Sequence, residues 1–62
     1  MRYEVKAIYE DNMPPGLKWT AYVSASGTTT IKEKYGKQRH KAVYRALKFI
    51  GKQGNATEIV IK

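Results

Sequence analysis

GKQRHKAVYRALKFIGKQG, residues 36–54, is the stretch in which apolar residues recur at helical rather than strand spacing. Val43, Ala46, Leu47 and Ile50 fall three or four apart, flanked by Ala42 and Phe49, so one stripe of a helix is apolar and fit to lie on a core. The spacing predicts a helix from Gln38 to about Lys52. Gly36 ends what precedes it. Gly51 and Gly54 suit a helix C-terminus, where Lys52 also complements the dipole. No Ser, Thr or Asp stands ahead to cap the start, which leaves that end open by a turn.

On either side of this helix the period is two. Tyr3, Val5, Ala7 and Tyr9 alternate with Glu4, Lys6 and Ile8, as in a strand. Residues 10–16 then break the pattern, because Pro14 and Pro15 lack amide protons and Gly16 permits a turn. Residues 18–25 alternate again, with Trp19, Ala21, Val23 and Ala25 facing one way. Ser26-Gly27 reads as a tight reversal into a Thr-rich third strand over residues 28–35. Ile31 is the only large aliphatic of that strand, so one of its faces is wet or functional. After the helix, residues 57–61 read as a last, well-buried strand. The expected class is α+β, in a single domain of residues 1–62. It is an antiparallel three-stranded meander with one helix packed on the sheet and a fourth strand after the helix (β-β-β-α-β).

Chains of this length bury only about 60% of the surface they expose when unfolded, so the core must be small. A hydrophobic content of 42% is enough for one such core and too high for a chain expected to stay disordered. The absence of cysteine excludes disulfides and thiolate metal sites and favours a reducing, cytoplasmic setting. No apolar run approaches the ~20 residues of a membrane span, and the charged opening Arg2-Tyr3-Glu4-Val5-Lys6 does not read as a signal peptide.

Charge carries the functional signal. Twelve Lys+Arg against five Asp+Glu give a formal net charge of +7. The excess lies in one segment, where Lys34, Lys37, Arg39, Lys41, Arg45, Lys48 and Lys52 occur with no acid between Lys34 and Thr57. At 100° per residue, Lys41, Arg45, Lys48 and Lys52 gather on one side of the helix, with Lys37 joining if helical, and the apolar stripe lies opposite. Like charges three and four apart repel by a few tenths of a kcal/mol per pair. Phosphates would neutralise that repulsion and release counterions on binding. A basic face of this kind can also be merely solvated, or can dock on an acidic protein. A membrane surface is not expected, because the sheet requires the helix's apolar stripe.

Tyr44 lies beside the basic stripe, and with Tyr35 it is a candidate for base or sugar contact. Trp19 and Phe49 read as core. Tyr22 points to the other sheet face with Lys18 and Thr20; adding Lys32 and Lys34 of the next strand gives a secondary polar surface. His40, between Arg39 and Lys41, lacks the carboxylate that orients a general base. No nucleophile–base pair, Gly-rich phosphate loop or zinc spacing occurs, and Glu10-Asp11 alone cannot assemble a metal site. No enzyme, no metal and no cofactor is therefore expected.

The run Ala7-Ile8-Tyr9-Glu10-Asp11, the Pro-Pro-Gly loop, Trp19-Thr20-Ala21-Tyr22-Val23, the helix Ala42-Val43-Tyr44-Arg45-Ala46-Leu47 and then Glu58-Ile59-Val60-Ile61 resemble the opening half of the ribonuclease H-like fold. A nuclease of that family would place acids in strand one, in the helix and at the end of strand four. Here Glu10 or Asp11 could be the first, the helix has none, and Lys62 follows strand four, so the resemblance implies the fold without the activity. In outline, residues 3–50 are similar to small truncated domains of the HicB antitoxin type, which pair with a toxin. A weaker resemblance is to the arm-binding domains of phage integrases, which read DNA with a three-stranded sheet.

The residues thus predict a non-catalytic nucleic-acid-binding module of low sequence specificity, acting through Lys37, Lys41, Tyr44, Arg45, Lys48 and Lys52. Secondary candidates are Lys18, Tyr22, Lys32 and Lys34. DNA and RNA, single and double strand, are not distinguished. The competing expectation is a protein-interaction module, from a phage or mobile element or antitoxin-like, docking on an acidic surface. A homodimer through either outer strand is also open.

Overall fold

The computed structural model describes residues 1–25, 27 and 29–62. The elements are β1 (Arg2–Tyr9), β2 (Trp19–Ala25), β3 (Thr30–Gly36), α1 (Arg39–Gln53) and β4 (Glu58–Ile61). They form one four-stranded sheet in the order β3-β2-β1-β4, with α1 on one face. The meander is present, since β1–β2 and β2–β3 are both antiparallel. The sheet as a whole is not antiparallel, because β4 runs parallel to β1, with Tyr3 beside Ile59 and Val5 beside Ile61. The reason is topological. Strand β3 and helix α1 run in opposite senses, so a strand following α1 returns in the direction of β3 and therefore of β1.

Helix α1 begins one residue later than expected, with Gln38 in extended conformation at its N-cap and no side-chain cap. It ends at Gly54, whose φ of 72° is the left-handed geometry a glycine accepts without strain. The expected reversal at Ser26-Gly27 falls partly on Ser26, which with Thr28 lies outside the described residues.

The core lies between α1 and the two central strands. Tyr3, Val5, Ala21, Val23 and Ala25 of the sheet meet Ala42, Val43, Ala46 and Ile50 of the helix. Four of these nine are alanines, so helix and sheet approach closely. The approach is tightest at Gly36. A Cβ built there would lie 2.6 Å from the Ala42 amide nitrogen. Residues 10–18 are closed as a loop by the Glu10 N–H donating to the Lys18 carbonyl.

The last strand corrects the expectation of a well-buried β4. It is an edge strand, with Ile59 40% and Ile61 46% exposed. A helix about 10–12 Å across covers only two or three strands spaced at about 4.8 Å. Helix α1 packs on β1, β2 and β3 and does not reach β4.

Candidate nucleic-acid interface

Helix α1 turns Ala42, Val43, Ala46 and Ile50 to the core, so Lys41, Arg45, Lys48 and Lys52 point away from it. Geometry at 100° per residue tilts this cationic ridge towards the side of the helix that carries Phe49. Phe49 is half-buried, and the ammonium groups of Lys32 and Lys34 on β3 lie 5.9 and 5.7 Å from its ring centroid. The Arg45 guanidinium donates to the Tyr35 carbonyl at the end of β3, tying helix to edge strand. Between α1 and β3 runs a groove of about 260 Å³ lined by Lys34, Arg45, Lys48, Phe49 and Lys52. Tyr44, 61% exposed, stands on the outer side of the helix, with the Lys48 ammonium 5.7 Å from its ring. Lys37 and Lys41 are exposed at the start of the helix.

This arrangement corrects the grouping of the secondary candidates. Lys32 and Lys34 do not share a face with Tyr22. They sit opposite Val23 and Ala21, whose side chains point to α1, whereas Tyr22 pairs with Glu33 and Thr20 with Tyr35 on the other face. Lys18 is held in the loop, donating to the Asp11 carbonyl at 2.8 Å with its ammonium 3.5 Å from the Asp11 carboxylate. Tyr35 faces away from the ridge, its hydroxyl 3.3 Å from Glu33. It contributes its carbonyl, not its ring.

A readable signal for the parity of β3 was Gly36. A glycine just ahead of a helix marks the face where the helix comes close, and residues two and four before it share that face. Lys34 and Lys32 follow.

Electrostatics separate the two faces. The ion pairs among the described residues are Arg2 with Glu4 and Glu58, Lys18 with Asp11, and Lys62 with Glu4. None involves a cation of α1 or β3. On the open face, a hollow of about 320 Å³ lies among Glu4, Lys6, Ile8 and Tyr22. It is larger than the α1–β3 groove, but its charges are mixed and Lys62 pairs with Glu4 at 3.2 Å. Nearby, the Tyr22 hydroxyl donates to Glu10 Oε1 at 2.7 Å. That bond holds the Glu10 carboxyl below its ordinary range and pushes the Tyr22 phenol up to about 12. Glu10 and Asp11, the carboxylates implied by the nuclease resemblance, are thus engaged by Tyr22 and Lys18. Among the described residues no group of three or more His, Asp or Glu side chains gathers. No helix among them is long and apolar enough to cross a membrane.

The chain matches no protein-family model, and neither curated proteins nor solved structures provide a match.

Proposed function

We propose that this protein is a non-catalytic nucleic-acid-binding module, acting in the cytoplasm, whose contact surface is the α1–β3 groove and the helix ridge above it. One observation carries the reading. Lys32, Lys34, Lys41, Arg45, Lys48 and Lys52 share one side of the molecule without a carboxylate partner, while all the ion pairs lie elsewhere. The i,i+3 and i,i+4 pairs Lys41–Arg45, Arg45–Lys48 and Lys48–Lys52 each oppose folding slightly. A polyphosphate relieves that repulsion and gains from counterion release. Lysines predominate, and the one arginine of the groove is bonded to a backbone carbonyl, so bidentate base readout is limited and specificity is low. Tyr44 offers an exposed ring for a sugar or an unpaired base. The likeness to the ribonuclease H-like unit enters as architecture alone, supported by the element order.

The test is an NMR titration of the labelled protein with a short duplex, a single strand and an RNA hairpin. The reading expects amide and side-chain shifts concentrated on Lys34, Tyr44, Arg45, Lys48 and Lys52. Shifts confined to the open face around Lys6 and Tyr22, or no binding to any of the three, would remove it. Recovery of one acidic protein after nuclease treatment, with no nucleic-acid binding, would instead favour a protein-docking role for the same charges.

A further inference from the structure

We propose that β4 pairs antiparallel with β4 of a second copy of this chain, about a two-fold axis through Val60. The edge is open and apolar. Strand β4 has a neighbour on one side only, α1 does not reach it, and Ile59 and Ile61 are nearly half exposed. The opposite edge, β3, is protected by Lys32 and Lys34 and by an irregular register at Val23/Ser24. No charge, proline or glycine interrupts Ile59-Val60-Ile61.

The backbone points the right way. The Lys62 N–H donates to the Val5 carbonyl, in the register that sets Val5 beside Ile61, so by alternation Glu58, Val60 and Lys62 turn their peptide groups towards β1. Ile59 and Ile61 then present theirs outward. In an antiparallel pair centred on Val60, Ile59 of one copy and Ile61 of the other exchange both N–H···O bonds, and Val60 meets its twin as a non-hydrogen-bonded pair.

The sequence selects this register. Glu58-Ile59-Val60-Ile61-Lys62 is complementary to its own reverse. Centred on Val60, it sets Glu58 opposite Lys62 of the second copy, Ile59 opposite Ile61, and Val60 opposite itself. The isoleucines share the face of Tyr3 and Val5, where α1 leaves them uncovered. The charged pairs fall on the other face. There Arg2 already lies 3.5 Å from Glu58, and Lys62 3.2 Å from Glu4, so the joined row alternates in sign. A slip of two residues sets Glu58 opposite Val60 and loses both ion pairs. None of these residues lines the α1–β3 groove, so the dimer stands or falls independently of nucleic-acid binding.

The test is sedimentation equilibrium of the whole chain without nucleic acid. So short an edge makes a small contact, so the range runs from about 10 µM to about 1 mM. The weight-average mass should rise from 7.1 kDa towards twice that value. Ile59→Pro removes an outward N–H without taking a donor from the β1 ladder and should hold the protein monomeric. Glu58→Lys places two lysines opposite each other at both ends and should weaken association roughly tenfold, while adding Lys62→Glu should restore it. Circular dichroism checks that each variant is folded. A monomer throughout the range, a dimer indifferent to Glu58→Lys, or no rescue by the double exchange would each overturn the proposal.

Discussion

Gly36 and Ala42 are in such close apposition that a Cβ on the glycine would stand 2.6 Å from the alanine's amide nitrogen. The atom met is backbone at the first turn of α1, which cannot swing aside as a side chain can. Gly36→Ala should therefore displace the helix start from the sheet and cost about 1–3 kcal/mol, as overpacking does. Urea denaturation measures this as a lower midpoint with little change in slope. Gly51→Ala, with open space around it in the helix, should instead be neutral or stabilising by about 1 kcal/mol.

Phe49 is the platform on which Lys32 and Lys34 rest. Phe49→Leu keeps most of the apolar volume and should cost less than about 1.5 kcal/mol. It should abolish the ring-current displacement of the lysine side-chain protons near Nζ, read by NMR. Unchanged lysine shifts would mean that those cations do not sit over the ring.

The Tyr22–Glu10 bond sets a pH dependence whose sign is fixed at both ends. The Tyr22 pKa is raised in the folded state, to about 12 from an ordinary value of 10.0, so its stabilisation is complete below pH 10 and lost as pH rises through about 12. The Glu10 pKa is lowered, so its contribution is present above the ordinary 4.5 and lost as pH falls through the folded value. Tyrosine-resolved NMR titration should place Tyr22 ionisation near pH 12, and Glu10→Gln should bring it down towards 10. Tyr35, raised chiefly by the charge of Glu33, should respond to Glu33→Gln instead.

What the chain discloses before folding depends on how strongly each residue commits to one face. Val43, Ala46, Leu47 and Ile50 commit a helix, and its ends fell within a residue of expectation. In β3, by contrast, Ile31 is exposed and polar side chains occupy both faces, so the alternation carries no inside or outside. Lys32 and Lys34 were thereby assigned to Tyr22's face, and only the close approach at Gly36 reveals otherwise. Ile59-Val60-Ile61 is apolar on both faces and reads as buried. Its exposure comes from the limited width of one helix, which no local pattern encodes. The ridge from Lys41 to Lys52 was legible because helical spacing alone assembles it, whereas its extension across Phe49 to β3 required the tertiary register.

Replacing Arg45 and Lys48 together by glutamate removes two cations from the centre of the groove and adds two anions. Nucleic-acid affinity should fall by at least about a hundredfold at moderate salt. Thermal stability should change little, since relief of like-charge repulsion along α1 offsets the lost bond from Arg45 to the Tyr35 carbonyl. Lys6→Glu, on the open face, should leave affinity within about twofold. Fluorescence anisotropy with a labelled duplex compares the three.

The most direct test is the affinity of the unaltered protein for a short duplex measured against salt concentration. If Lys34, Arg45, Lys48 and Lys52 each neutralise a phosphate, log K should fall against log salt with a slope of about −3.6. A slope near zero, with binding that persists at high salt, would contradict the assignment of the α1–β3 groove to a polyphosphate.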